Sequence, residues 1–154
     1  MAAPEVVSAL ATRFGAEPFP GGASVPVASL SEALRALRDA HGYRYYICAN
    51  ATDRADGIEL MHGVRNLQTR DDFFLKTKLA KDALEAPSQA MTYAGAEWQE
   101  REIFDLFGVR FSAHPDLRRL LMPDEYEGHP LRKEFPIDAP WGYRPPTRGE
   151  GIDS

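Results

Sequence analysis

The sequence predicts an α+β domain that carries a long, proline-punctuated arm. Three observations lead there. Apolar residues recur at helical spacing near the start and again between Ser29 and Gly42; from Tyr43 to Leu79 the period shortens to two in three consecutive runs; and seven of the twelve prolines fall at or beyond Pro115. Three runs with short connections make antiparallel neighbours, and helices before and after them pack on one face of the sheet. The expected architecture is a small antiparallel sheet of about four strands with helices packed on it over residues 1–111, followed by an extended docking arm over 112–154.

The elements follow in order. Pro4 suits a helix start, Val6, Val7, Leu10 and Phe14 share a face, and Gly15 is a natural stop. Pro18, Pro20, Gly21 and Gly22 then break the chain, and Ala23 to Val27 reads as a short edge strand, where Pro26 is tolerated. Ser29 and Glu32 form an S-x-x-E capping box ahead of Leu30, Leu34 and Leu37, with Gly42 closing the second helix.

In the first strand run, Tyr45, Ile47 and Ala49 oppose Arg44, Tyr46 and Cys48, and an Asp56-Gly57 turn follows. Ile58, Leu60, His62 and Val64 share a face in the second run, as do Phe73, Leu75, Thr77 and Leu79 in the third. Ser88 suits the cap of a short helical turn, and Ala94 to Phe107 reads as a longer helix ended by Gly108. Ile103, Phe104, Leu106 and Phe107 occupy one side of that helix, with Glu97, Arg101, Glu102 and Asp105 opposite. Past Phe111 the periodicity stops, yet Leu117, Leu120, Leu121, Met122, Tyr126, Leu131, Phe135, Trp141 and Tyr143 keep the arm too apolar for a linker.

Composition narrows the function. The 154 residues carry a net charge of −5, so no broad basic surface suits nucleic acid or anionic lipid. One cysteine, Cys48, cannot build a disulfide or an iron–sulfur cage. His41, His62, His114 and His129 are scattered without metal-ligand spacing. No run reaches the roughly twenty apolar residues of a membrane helix, and the start lacks a signal-peptide pattern, so a soluble, untargeted chain is expected.

Glu97, Glu100 and Glu102 invite an acid–base hypothesis, because proton transfer needs carboxyl groups in differing environments. Their spacing favours another reading: Glu97, Arg101 and Asp105 are four apart, an ion-pair stripe that faces solvent or a partner. His62, among Ile58, Leu60 and Val64, reads as a hydrogen-bonded core histidine, and Cys48 as a small strand thiol. His114-Pro115 and His129-Pro130 precede the basic pairs Arg118-Arg119 and Arg132-Lys133. No glycine-rich loop accompanies them, so pairing with a partner or with the domain is preferred over phosphate binding.

Glu100-Arg101-Glu102-Ile103-Phe104-Asp105-Leu106-Phe107-Gly108, then His114 to Leu121, Met122-Pro123, Glu127 to Lys133 and Phe135-Pro136, closely resemble the signature of one family. That family is the C-type, or 30-kDa-type, subunit of proton-translocating NADH:quinone oxidoreductase, respiratory complex I. The family usually carries Gly where this chain has Ala113, which bears on local backbone geometry.

The resemblance implies a cofactor-free peripheral-arm subunit with a scaffolding role, packed beside the D-type (49-kDa-type) subunit and near the B-type. NADH, FMN, Fe-S clusters and a quinone then belong to the assembly, as do electron transfer and proton translocation. It implies a peripheral location on the cytoplasmic side of the bacterial inner membrane, reached only through the complex. The partner-interface candidates are Glu97, Arg101, Glu102, Asp105, His114, Arg118, Arg119, Leu120, Leu121, Tyr126, His129, Leu131, Arg132, Lys133 and Phe135. Leu117, Leu120, Leu121, Tyr126, Leu131 and Phe135 are expected along a partner groove, with Arg118, Arg119, Arg132 and Lys133 fixing register by salt bridges. Two alternatives stand beside this one: the equivalent subunit of a membrane-bound energy-converting NiFe hydrogenase or ferredoxin-dependent complex, and a stand-alone acid–base enzyme using Glu97, Arg101 and Glu102.

Overall fold

The computed structural model describes residues 4–135, so the arm beyond Phe135, with Pro136, Trp141 and Tyr143, lies outside the described residues. Helix α1 spans Pro4–Phe14 and buries Val6, Leu10 and Phe14; Gly15 ends it in the left-handed region at φ 64°, its amide bonded to Ala11. Strands β1 (Glu17–Phe19) and β2 (Gly22–Ser24) form a short hairpin. A 3₁₀ turn over Val27–Ser29 leads into α2, Leu30–Asp39. The capping box expected there does not form: Ser29 is already helical at φ −95° and ψ −5°, and its hydroxyl makes no cap bond. A side-chain cap needs the extended backbone that the 3₁₀ turn removes.

Strands β3 (Tyr45–Arg54), β4 (Gly57–Asn66) and β5 (Asp71–Leu79) make the expected antiparallel meander. The α+β class stands, and the sheet differs from the expectation in two ways. It has five strands in the order β1-β2-β5-β4-β3, and β2 pairs parallel to β5. The edge is β1, not β2, and the proline it accommodates is Pro18. Helix α2 therefore carries the chain across one face, over β5 and β4, to the far edge at β3.

A bulge between Tyr46 and Cys48 leaves Ile47 without a partner and shifts the parity of β3. Strict alternation puts Tyr46 opposite Ala49; the bulge brings it to the covered face, where its ring lies 5.1 Å from that of Tyr93. The β4 and β5 faces agree with the sequence: Ile58, Leu60, His62, Val64, Phe73, Leu75, Thr77 and Leu79 are all buried. Two short strands, β6 (Glu85–Pro87) and β7 (Arg110–Ser112), pair in parallel beside α3, which spans Ala96–Phe107. The region after Ser88 turns without forming a helix; the Ser88 hydroxyl accepts the Ala90 amide.

The core divides in two. One cluster joins α1 and α2 to Val64, Phe73, Leu75, Tyr93 and Ala96. The other joins Ile58, Leu60 and Leu79 to Ala86, Ile103, Phe107, Val109 and Phe111.

Candidate docking platform

Helix α3 and the first part of the arm form one unit. The sequence places Arg101 and Asp105 opposite the apolar side, which in an isolated helix is the wet side. Instead Arg101 is 4% exposed and Asp105 is fully buried. The stripe that spacing directs to solvent or to a partner is instead covered at Arg101 and Asp105 by residues that follow it in the same chain. The cover exists because those two side chains satisfy a segment that has no periodic hydrogen bonding of its own.

Asp105 is the centre. Its Oδ2 accepts the amides of Leu120, Leu121 and Met122 at 3.1, 2.7 and 2.8 Å, and its Oδ1 accepts Arg119 Nη1 at 2.6 Å. Burial pushes this carboxyl up, but the amide bonds, Met122 and Leu121 foremost, and Arg119 outweigh it and hold its pKa below the ordinary carboxylate range. Arg119 Nη2 also donates to the carbonyls of Tyr126 and Gly128. Arg101 donates from Nε and Nη2 to the carbonyls of Arg118 and Arg119 at 3.3 and 3.2 Å, while its guanidinium lies 4.9 Å from the Trp98 ring centre.

Two histidines pin the ends of this cover. His114 Nε2 donates to the Glu97 carbonyl at 3.0 Å and Nδ1 accepts the Asp116 amide at 3.0 Å, which calls for the Nε2–H tautomer. His129 Nδ1 donates to the Asp105 carbonyl at 2.9 Å, over Gly108. Gly108 caps α3 at φ 77°, and a Cβ there would fall 2.5 Å from the His129 ring. Glycine is required both by the left-handed turn and by the imidazole above it. Ala113 sits at φ 60° without that freedom.

Glu100 is buried on the other side of α3, accepting Ser88 Oγ at 2.5 Å and the Gln89 amide at 2.6 Å. Burial raises its pKa against those two bonds. In the sequence this residue stands as one of three carboxylates, without a structural place. Its offset of four from Ala96 and three from Ile103 was the available signal, since both are core residues.

The remaining interface candidates separate by exposure. Arg118 pairs with Asp116 at 2.8 Å and Arg132 with Glu134 at 2.6 Å, both within the arm. Tyr126 is buried, its ring 6.4 Å from that of Phe135, which is half-buried. Lys133 is exposed, with its amide donating to Asp53 Oδ2; Leu120 is half-buried. Glu97 is half-buried and Glu102 exposed, so with Arg101 held by carbonyls the three do not converge as an acid–base site needs. Leu121 and Leu131 stand out of the surface, 60% and 53% exposed, and so does Trp98 at 60%, which the sequence pattern did not single out. All three belong to α3 or to the segment bonded to it, since the amides of Leu121 and Leu131 donate to Asp105 and to the Leu106 carbonyl.

Among the described residues no three His, Cys, Asp or Glu side chains are grouped to hold a metal ion, and no helix is long and apolar enough to cross a membrane.

Comparison with known proteins agrees with the sequence signature. The C subunit of NADH-quinone oxidoreductase from Trichlorobacter lovleyi is 41% identical over 95 residues, 62% of this chain and 57% of that protein, so the chain matches little more than half of that relative's length. The C/D subunit of NADH-quinone oxidoreductase from Chromohalobacter salexigens is 36% identical over 153 residues, 87% of this chain and 26% of that protein. A chain in the solved structure of the membrane-bound sulfane sulfur reductase, an archaeal respiratory membrane complex, superposes with a TM-score of 0.76 at 24% identity, covering 86% of this chain and 85% of that one, and shows the fold. The respiratory-chain NADH dehydrogenase 30 Kd subunit family matches residues 23–140, and the chain belongs to that family.

Proposed function

We propose that this chain is a cofactor-free scaffolding subunit of an NADH:quinone oxidoreductase, and that α3 with the folded part of the arm is its docking face for a D-type (49-kDa-type) partner. The observation that carries the reading is the Asp105 clamp. It fixes the backbone of Leu120 to Met122 without using their side chains, and leaves the Leu121 side chain exposed, as are Trp98 on the same helix and Leu131 in the segment bonded to it. A surface whose apolar groups are held in place before contact loses little conformational entropy on binding. Each fully buried Trp or Leu contributes about 2 kcal/mol to association, and aromatic anchors carry much of an interface's energy.

The C/D relative supports the choice of partner, because a protein named for both subunits keeps the two parts in one chain at high effective concentration. In this reading NADH, FMN, Fe-S clusters and quinone are held by other subunits, the B-type chain is a neighbour, and the cytoplasmic side of the inner membrane is reached through the assembly. This chain contributes shape: the platform orients a partner, and its own residues perform no electron or proton transfer.

The test is co-purification from native membranes with the W98A, Leu121→Asp and Leu131→Asp variants. Loss of the D-type subunit from the purified material is the expected result, with the melting temperature of the isolated chain unchanged for Leu121→Asp and Leu131→Asp and only slightly lowered for W98A, whose ring stacks on Arg101. Undiminished recovery of the partner with all three changed refutes the docking face.

A further inference from the structure

The two apolar clusters of the core meet along a polar seam. His62 lies between Leu60 of one cluster and Val64 of the other, and Thr77 between Leu75 and Leu79. Gln89 likewise falls between Ala86 and Tyr93, and Glu100 between Ala96 and Ile103. All four polar residues are buried, at 1%, 1%, 0% and 0% exposure. Each of the four stands at a passage of the chain from one cluster to the other, and they form two polar pairs, His62 with Thr77 on the sheet and Gln89 bonded to Glu100, together termed the layer.

Three atoms of this layer have no partner among the described residues: His62 Nε2, Thr77 Oγ1 and Gln89 Oε1. Their chemistry is determined by their other bonds. Tyr46 Oη lies 2.8 Å from His62 Nδ1, and the phenol has no other acceptor in reach among the described residues, so its O–H donates and Nε2 carries the imidazole proton. Gln89 Nε2 donates to the Pro87 carbonyl at 2.8 Å and to Ser31 Oγ at 2.9 Å, which fixes its Oε1 as a free acceptor. The layer thus offers one N–H donor, one hydroxyl and one carbonyl acceptor.

His62 and Thr77 are diagonal neighbours on one face, since His62 pairs with Leu75 and Leu60 with Thr77. Diagonal side chains of adjacent strands stand about 7 Å apart at the backbone, and His62 Nε2 and Thr77 Oγ1 make no bond to each other, an arrangement suited to a single bridging molecule. A metal ion does not fit a protonated imidazole nitrogen, and the apolar clusters on both sides leave no place for a larger group. A buried donor or acceptor left unbonded is costly, and water is the molecule that meets a donor and a hydroxyl together.

We propose that the seam binds an internal water molecule, which accepts His62 Nε2–H and donates to Thr77 Oγ1, in the same layer as the Gln89 acceptor. The test is a crystal structure of the full chain with its Thr77→Ser and Thr77→Val variants, joined to denaturant unfolding. Density for a water within hydrogen-bond distance of both atoms in the unmodified chain and in Thr77→Ser, and its loss in Thr77→Val, is the expected result. Valine, of the same shape, should lower the folding equilibrium constant about tenfold by stripping the His62 N–H of its bridge, and serine should retain most of it. An empty gap, a direct His62–Thr77 bond, or a Thr77→Val variant more stable than the parent overturns the proposal, because removing a hydroxyl that bonds to nothing stabilises.

Discussion

Asp105 holds three consecutive amides and one guanidinium, and no other carboxylate among the described residues does comparable duty. Asp105→Ala removes the acceptor for all of them at once and leaves Arg119 without its charge partner, a loss on the order of 3 to 5 kcal/mol. The expected readout is faster amide exchange at Leu120 to Met122 and faster tryptic cleavage after Arg118 and Arg119. Because the Asp105 pKa lies below its ordinary value, its contribution is complete above that value and disappears only as pH falls through the lowered one. A neighbouring residue works the opposite way. Ala113, at φ 60°, bears left-handed strain that glycine avoids, so Ala113→Gly should raise stability by about 1 kcal/mol, measured by chemical denaturation.

His62 adds a pH dependence of its own. Burial lowers its pKa from 6.5 to about 4, so the folded state binds fewer protons than the unfolded one between those values. Stability is therefore full above pH 6.5 and declines toward pH 4, by on the order of 3 kcal/mol. His62→Gln, which keeps an acceptor for Tyr46, should flatten that acid limb in melts across the same range.

At the scale of elements, α3 is the unusual one. Three of its charged residues, Glu100, Arg101 and Asp105, are as deeply placed as its apolar ones, because β3 and the core take one side and the arm takes the other. Glu100 shows the consequence. Its raised pKa means that the folded state binds more protons than the unfolded one above the ordinary glutamate range, so stability falls as pH rises through that window and is level beyond it. Glu100→Gln should remove this decline while keeping a bond to the Gln89 amide, giving equal or higher stability at neutral pH, read from melting temperature against pH. The far edge of the sheet is protected by the same helix: Gln99 accepts the Ala49 amide, while Asn50 accepts that of Ala51 and Asp53 receives Lys133.

For the whole molecule, the described part of the arm belongs to the fold. Deleting residues 112–154 would uncover Arg101 and Asp105 along with any partner surface, and a fall in partner recovery would then have two causes. Changes confined to exposed side chains separate them. Trp98→Ala, the largest of the three, should weaken partner association by about 2 kcal/mol or more in a binding titration, against a loss of folding stability of about 1 kcal/mol from its stacking on Arg101. The two-cluster core also places the C-terminal part of α3, with β6 and β7, in one half of the interior, and the start of α3 at Ala96 with the helices α1 and α2 in the other.

The sequence by itself determined the elements whose signal is local: the α1 and α2 faces, the alternating β4 and β5, and the Gly108 stop, since each rests on a period or a backbone requirement of a few residues. It also carried the family signature, because ordered side chains in a continuous block are visible without coordinates. It could not fix the β2–β5 parallel pair or the Ile47 bulge, which depend on partners about fifty and about seventeen residues away along the chain. The fate of Arg101 and Asp105 was decided only by tertiary structure. Helical spacing identifies which side chains share a face, and that face stays polar in sequence whether water or an amide-rich segment covers it; the charges that look solvated are the ones that bind the arm's unpaired backbone.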